Sequence, residues 1–239
     1  MNLRLAFYVG LFACLTLLSC GKKTLFEYID PDHSGIHFTN QIIENDSINP
    51  MDMVNVYNGG GVGIGDFNGD GLPDIYFTGN TVSNKLYLNK GDFRFQDITD
   101  QAGVGGNGEW CRGVSVIDIN NDGRPDLYIC VNIRTDPAHR INLLYVNQGN
   151  DAQGIPHFKE MAAEYGLADT LYSTMAQFFD YDHDGDLDMY LTVNNVPNGY
   201  NTAKFHPIAT DGIPAGAIRH RAIGAVLRST AATRPSAFS

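Results

Sequence analysis

Basic residues are scarce in this chain. Its 239 residues include 16 Lys and Arg against 27 Asp and Glu, which gives a formal net charge of −11. Because proteins that bind nucleic acids present a basic face to the phosphates, this balance argues against a nucleic acid partner.

Catalytic motifs are lacking as well. There is no Gly-x-Ser-x-Gly and no His-Glu-x-x-His, and the seven histidines are scattered without metal-ligand spacing. The glycine-rich run at 59–65 is not followed by Lys-Ser or Lys-Thr, so it predicts a closely packed inner strand rather than a phosphate-binding loop. The sequence therefore predicts no catalytic residue and no organic cofactor, and favours a protein that is not an enzyme.

The apolar stretch from Leu5 to Leu18 is short. At about 14 residues it does not span a bilayer comfortably, and with Arg4 before it the stretch is typical of a cleaved signal peptide. Residues 17–21, Leu-Leu-Ser-Cys-Gly, resemble the lipobox of bacterial lipoproteins. This resemblance implies that residues 1–19 are removed, that Cys20 carries lipid, and that the exported chain sits on the outer membrane, on its periplasmic or surface face. An ordinary secretory signal with a chance cysteine is the alternative.

Cysteines are few. Of the four, Cys14 would leave with the signal peptide and Cys20 would carry lipid, so Cys111 and Cys130 remain for a disulfide in an oxidising compartment. If the segment between them closes a simple hairpin, Cys130 faces about position 114, roughly 10 Å from Cys111. This separation argues against a disulfide.

The chain does contain a repeated acidic loop. The pattern Asp-x-(Asn/Asp)-x-Asp-Gly-x-x-Asp occurs at 66–74, 118–126 and 180–188, which we name loops 1, 2 and 3. A calcium ion takes six to eight oxygen ligands at about 2.3–2.6 Å, and a short loop supplies them by wrapping around the ion. The glycine at position six takes the left-handed turn that a side chain would obstruct. The loops therefore predict about three calcium sites.

The predicted ligands are side-chain oxygens at loop positions one, three, five and nine and the backbone carbonyl at position seven. In loop 1 they are Asp66, Asn68, Asp70, Asp74 and the carbonyl of Leu72. In loop 2 they are Asp118, Asn120, Asp122, Asp126 and the carbonyl of Arg124. In loop 3 they are Asp180, Asp182, Asp184, Asp188 and the carbonyl of Asp186.

These loops differ from an EF-hand, which shares the first six positions but ends in a glutamate at position twelve and continues into a helix. Here position twelve is Phe77, Ile129 or Leu191, within runs of β-branched and aromatic residues that are typical of strands. Each loop therefore joins two strands. A metal-free turn rich in Asp, Asn and Gly is the alternative, and the repetition favours calcium.

Further residues recur in step with the loops. Asn-x-Leu-Tyr-x-Asn-x-Gly occurs at 84–91 and 142–149, and Phe-x-Asp or Phe-x-Glu follows at 95–97 and 158–160. Loops 1 and 2 begin 52 residues apart, and loops 2 and 3 begin 62 apart. Four-stranded units at this period are typical of propeller blades. The sequence thus predicts an all-β fold, a partial β-propeller of about two and a half blades, with a calcium loop between the first two strands of each.

Loop, asparagine motif and lipobox together resemble the FG-GAP/VCBS repeat proteins, whose blades also build the integrin α-subunit propeller. The stretch from about Phe26 to about Asp211 is similar to bacterial lipoproteins of the cartilage acidic protein/ASPIC-UnbV-like group. The resemblance implies a seven-bladed propeller and calcium ligands at the positions named, but no settled activity. An RNA-binding label carried by some members has no physical support in this acidic chain.

The chain departs from the repeat pattern after loop 3. No asparagine motif follows Asp188, and all 27 acidic residues lie at or before Asp211, whereas 212–239 has four arginines, seven alanines and no Asp, Glu or Tyr. We interpret this tail as disordered or out of frame, with a natural basic tail as the alternative. Since propellers close with four to eight blades, such a chain would need further blades or self-assembly.

The repeats divide the chain into a sequence of expected segments. They are a lead-in at 20–58, blade 1 at 59–104, blade 2 at 105–168, an incomplete blade 3 at 169–211 and the tail at 212–239.

The sequence favours a calcium-stabilised, lipid-anchored envelope module that binds protein or glycan ligands through loops at one propeller face. Two alternatives stay open: a non-functional fragment of a larger propeller lipoprotein, and the N-terminal part of an enzyme acting on envelope polysaccharides. His183, at position four of loop 3, is expected to face solvent rather than a metal. Trp110 either packs in the core or stacks a sugar ring.

Overall fold

The structure is a computed structural model that describes residues 25–53, 56–134, 136–181, 183, 185 and 187–193, and the backbone of 224–227. Met1–Asp30 and Pro31–Ser239 form two compact units, and every described helix and strand lies in the second. The predicted signal peptide and Cys20 lie outside the described residues. In the described part of the chain, no helix is long and apolar enough to cross a membrane.

The described strands form three antiparallel sheets, which we name blades 1, 2 and 3. Blade 1 contains β1 (Val62–Gly65), β2 (Asp74–Phe77), β3 (Lys85–Asn89) and β4 (Phe95–Asp97). Blade 2 contains β5 (Cys111–Ile117), β6 (Asp126–Val131), β7 (Leu143–Asn150) and β8 (Pro156–Glu160). Blade 3 contains β9 (Ser173–Phe179), β10 (Asp188–Val193) and β11 (Gly224–Leu227). In the described part of the chain, three short helices accompany the sheets: α1 (Pro31–Ser34), α2 (Thr99–Ala102) and a 3-10 helix at Pro137–His139.

The predicted all-β fold with four-stranded blades is confirmed. In blades 1 and 2 each strand pairs with the next strand in the chain, so that each blade is a meander of four strands. Blade 3 has the order β11-β10-β9. The strand at Gly224–Leu227 belongs to the tail, whose other residues lie outside the described set, and the interpretation of that tail as disordered or out of frame stays a prediction.

Loops 1, 2 and 3 join the first two strands of their blades in the same register. Gly65 pairs with Asp74, Ile117 with Asp126 and Phe179 with Asp188. In every blade the residue before the loop is therefore opposite loop position nine. The prediction that each loop connects two strands is confirmed.

The hydrophobic core has two parts, one on each face of blade 2. The six residues of β6 are all buried. Leu127, Ile129 and Val131 pack in the cluster shared with blade 1, whereas Tyr128 and Cys130 pack in the cluster shared with blade 3. This division follows from the alternation of side chains along a strand. A strand covered on both faces has a continuous apolar sequence, which is what β6 shows.

Glycines in β1 and directly before it allow blade 1 to approach blade 2 closely. A Cβ atom at Gly63 would lie 2.9 Å from Val116 Cγ2, and one at Gly61 would lie 2.9 Å from the Arg112 carbonyl oxygen. Side chains at these positions would collide with β5. The glycine-rich run thus packs closely against a neighbouring strand, as predicted, and its place as the innermost strand of a propeller stays a prediction.

The hairpin that holds the two cysteines contains a bulge that was not predicted. Val114 is opposite Ile129 and Cys111 is opposite Val131, so that residues 112 and 113 together face Cys130. Bulges shift register because they place two residues against one. Cys111 and Cys130 are both buried and free, and burial raises the pKa of the Cys111 thiol to about 12.

Candidate metal centre

The aspartate at position one organises each loop by accepting hydrogen bonds from backbone N–H groups. The Asp66 carboxylate accepts from Gly69 N at 2.8 Å, Asp70 N at 3.0 Å and Gly71 N at 2.8 Å. In loop 2, Asp118 accepts from Asp122 N at 3.0 Å and Gly123 N at 2.8 Å. In loop 3, Gly185 N donates to Asp180 at 3.1 Å. The aspartate at position one therefore organises the backbone of all three loops.

Positions three and five interact with each other. In loop 1, the Asn68 amide donates to Asp70 Oδ2 at 3.0 Å, and Asp70 Oδ1 accepts from Leu72 N at 2.8 Å. Asn120, Asp122 and Arg124 repeat this arrangement in loop 2. The equivalent predicted ligands of loop 3, Asp182, Asp184 and Asp186, lie outside the described residues.

Position nine connects the loop to the third strand of its blade. Asp74 is fully buried and accepts from Phe67 N at 2.9 Å and from Asn89 N at 2.8 Å. The Asp126 carboxylate is also fully buried, and it accepts from Ile119 N at 2.9 Å and from Asn147 N at 2.7 Å. In loop 3, Asp188 accepts from Tyr181 N at 3.0 Å.

Burial also changes the ionisation of position nine. It raises the pKa of Asp74 to about 6, opposed by the hydrogen bonds from Asn89 and Phe67 and reinforced by the negative charges of Asp70 and Asp66. The pKa of Asp126 is raised to about 6 for the same reasons, with Asp122 and Asp118 as the neighbouring charges. A cation in the loop would offset both effects, because it favours the ionised carboxylate.

The loops are left-handed at two positions. Position six has φ of 86° at Gly71, 83° at Gly123 and 92° at Gly185, as predicted. Position four is also left-handed, at Gly69, Asn121 and His183. This second position was not predicted from the sequence, although Gly and Asn are the residues that tolerate it best. His183 is exposed, as expected.

The donor chemistry of the loops fits calcium, since the predicted ligands are all oxygens. Among the residues that the structure describes, no three His, Cys, Asp or Glu side chains are gathered as they would be around a metal ion. The carboxylates turn instead to backbone N–H groups. In loop 2 the Arg124 guanidinium also contacts Asp122 Oδ2 at 2.5 Å. The ligands at 66–74 and 118–126 are therefore brought into two compact loops, whose calcium occupancy stays a prediction.

The first asparagine of the repeated motif joins the second and third strands in blades 1 and 2. Asn84 accepts from Gly79 N at 2.8 Å and donates to the Tyr76 hydroxyl at 2.8 Å. Asn142 accepts from Val131 N at 2.8 Å and donates to the Tyr128 hydroxyl at 2.9 Å. Both asparagines are fully buried. The first asparagine of the motif is therefore structural.

Blade 2 also holds loop 1 directly. The second asparagine of its motif, Asn147, donates to the Phe67 carbonyl at 2.9 Å, and Asn150 donates to the Asn68 carbonyl at 2.7 Å. These partners are 80 and 82 residues apart in the sequence. No local sequence pattern signals this contact, so it was not predicted.

Trp110 has a packing role. Its side chain is fully buried, and Nε1 has no hydrogen-bond partner within the described residues. A buried indole does not offer its face to a sugar ring, so the stacking alternative is wrong.

Residues 66–129 match the FG-GAP-like repeat family. The match begins at loop 1 and ends within β6, so it contains loops 1 and 2. Together with the blades, this match suggests a β-propeller-like, non-catalytic binding module.

The chain is also similar to cartilage acidic protein 1. The protein from Xenopus tropicalis is 26% identical over 195 residues, which cover 81% of this chain and 27% of the relative. The human protein is 28% identical over 145 residues, which cover 60% of this chain and 20% of the relative. The chain thus spans between 20% and 27% of the length of these relatives.

Proposed function

We propose that the chain is a calcium-stabilised binding module of the bacterial cell envelope, held on the membrane by lipid on Cys20. It binds protein or glycan ligands through loops and performs no catalysis. The observation that carries this proposal is the recurrence of one loop in one register, with the same aspartate at its centre in each blade.

Bound calcium would supply positive charge between carboxylates that otherwise repel each other. In loop 1 the ligands would be Asp66, Asn68, Asp70, Asp74 and the carbonyl of Leu72. The equivalent ten residues of loops 2 and 3 would hold the second and third ions. Because Asp74 also accepts from Asn89 N, an ion in loop 1 would stabilise the attachment of the loop to β3.

The inner strands support a requirement for further blades or self-assembly. Val62 and Ile64 of β1 are 57% and 63% exposed. Apolar strands left exposed in this way favour association, so we propose that additional blades or another copy of the chain cover them.

The lipid anchor supports an envelope location, on the periplasmic or surface face of the outer membrane. Fractionation of cells tests it: wild type should be found with membranes, whereas Cys20→Ala should be released. Equal membrane association of the two proteins would contradict the anchor.

Thermal unfolding of the full chain with calcium or with chelator tests the metal. At ten times Kd, one site adds about 1.4 kcal/mol of stability, and the midpoint rises by roughly 3–6 °C per site. Asp66→Asn should lose part of this increment, whereas Asp46→Asn, an exposed acid outside the loops, should keep all of it. An unchanged midpoint in millimolar calcium would contradict the proposal.

A further inference from the structure

Blade 2 carries a longer loop than blade 1 between its second and third strands. In both blades an asparagine closes the base of this loop by donating to a tyrosine, Asn84 to Tyr76 and Asn142 to Tyr128. The asparagine follows the tyrosine by eight residues in blade 1 and by 14 in blade 2, a difference of six residues. Blade 1 forms the same four strands without these six additional residues. Insertions of this kind in repeat proteins often form the binding face.

The loop of blade 2 begins with a strained turn. Ile133 has φ of 68°, which is rare for a β-branched residue, and Arg134 N donates to the Asn132 carbonyl at 2.8 Å. Ile133 is thus the centre of a γ-turn of the strained type. The buried Asn132 enforces it, since its amide donates to the Ser173 carbonyl at 2.7 Å and its side-chain oxygen accepts from Ile133 N. Strain that the surroundings enforce is concentrated at functional sites.

The end of the loop fixes the backbone of Arg134. Arg140 is 7% exposed, donates from Nε to the Thr170 carbonyl at 2.7 Å, and donates from a terminal nitrogen to the Arg134 carbonyl. Its guanidinium carbon lies 3.9 Å from the ring centroid of Tyr172. Arg134 is therefore held on both sides, while no described carboxylate pairs with its own half-buried guanidinium.

Opposite this loop is a tight turn at Gly106–Glu109. Glu109 N donates to the Gly106 carbonyl at 3.0 Å, and the central residues are Asn-Gly with φ of 55° and 75°. This pair suits a turn that needs two left-handed residues. The Glu109 side chain is 16% exposed, with Oε1 3.4 Å from His139 Nδ1. Between this turn and the longer loop of blade 2 is a cleft of about 480 Å³, which is within the size class of small-molecule sites.

We propose that this cleft binds a neutral glycan, with Arg134 donating to sugar hydroxyl oxygens and Glu109 accepting hydroxyl hydrogens. This inference rests on the proposed function as a binding module. An anionic ligand would meet the carboxylates of Glu109 and Asp136, and a cationic ligand would meet Arg134. A sugar avoids both conflicts, because each hydroxyl is a donor and an acceptor and pairs with either charge. The cleft is lined by Asn107, Gly108, Glu109, Arg134, Asp136 and His139, and none is aromatic, so we expect millimolar affinity.

Saturation-transfer NMR on the full chain tests this site. The probes are the methyl glycosides of glucose, galactose, mannose and N-acetylglucosamine, with glucuronic acid and two blocked tripeptides, Gly-Asp-Gly and Gly-Lys-Gly, for the other classes. The variants are Arg134→Ala and Glu109→Gln. The matched control is Arg94→Ala, because Arg94 is 65% exposed and lies in blade 1.

We expect at least one neutral glycoside to bind saturably, and each cleft variant to weaken it by about tenfold or more, since Arg134→Ala removes a charge-assisted hydrogen bond and Glu109→Gln replaces one with a weaker neutral bond. Arg94→Ala should bind as wild type does. The inference is overturned if no neutral glycoside binds, if the cleft variants bind it as tightly as the control, or if glucuronic acid or a tripeptide alone binds. Calcium-dependent unfolding measured on the same samples distinguishes failure of the cleft from failure of the module.

Discussion

At the scale of the residue, the buried asparagines show what the repeat conserves between the two blades. Asn142 bridges three groups: the N–H of Val131 and the hydroxyls of Tyr128 and Ser173. Without the amide, the buried Val131 N–H would lose its acceptor, whereas the Tyr128 and Ser173 hydroxyls would each keep a backbone carbonyl as a partner. A short side chain thus joins the second and third strands of blade 2 to the first strand of blade 3.

We expect Asn142→Ala to lower the free energy of unfolding by about 2–4 kcal/mol, because it leaves the buried Val131 N–H unpaired, removes two further hydrogen bonds and opens a small cavity. Urea unfolding measures this loss. Gln153→Ala is the control, since Gln153 is exposed and only its backbone is hydrogen bonded. A loss below 1 kcal/mol for Asn142→Ala would show that these hydrogen bonds are not needed.

At the scale of the element, loops 1 and 2 share one frame but differ at position seven. Loop 1 has Leu72 there, whereas loop 2 has Arg124, whose guanidinium contacts the predicted ligand Asp122. A cation that already occupies a ligand oxygen competes with a metal ion for it.

We therefore predict that Arg124→Leu raises the calcium affinity of loop 2 by about three- to tenfold, and that Leu72→Arg lowers that of loop 1. Titration calorimetry measures both affinities. Each substitution is the control for the other, because one removes a positive charge at position seven of loop 2 and the other introduces one at position seven of loop 1. If each loop binds calcium with the same affinity in the wild type and in both variants, the proposed effect of the guanidinium is contradicted.

Loop 1 also depends on its neighbour, because Asn150 in blade 2 donates to the Asn68 carbonyl. Asn150→Ala should weaken calcium binding to loop 1 and lower the free energy of unfolding by about 0.5–1.5 kcal/mol, the net contribution of one hydrogen bond. Gln148→Ala is the control, because Gln148 is exposed and bonds only within its own strand. If both variants bind calcium equally, the blades do not cooperate through this contact.

At the scale of the whole molecule, the two cores share β6. Ile129 lies in the core between blades 1 and 2, and its neighbour Tyr128 lies in the core between blades 2 and 3. Loss of packing on one face of the strand is therefore transmitted to the other.

Ile129→Ala should lower the free energy of unfolding by about 2–5 kcal/mol, as expected for a buried aliphatic truncation. Because the cores share β6, Trp110 fluorescence and far-ultraviolet circular dichroism should report one transition at the same denaturant concentration. Two separated transitions would show that the blades unfold independently.

Much of this architecture follows from local sequence. Strands and loops could be predicted because apolar alternation and the Asp-Asn-Gly pattern act within ten or so residues. The bulge opposite Cys130, the hydrogen bond from Asn147 to loop 1 and the cleft of Arg134 could not be predicted. Each depends on a bulge, a contact between blades or a strained turn, which have no periodic signature.

The asparagine–tyrosine bracket separates the length of a loop from the stability of its blade. It closes the base of the loop in the same way whether the asparagine follows the tyrosine by eight residues or by 14. Insertions above the bracket leave the strand register and the packed faces unchanged. A chain built from such repeats is therefore free to diversify one loop at a time under selection, while the core that every repeat shares stays constant.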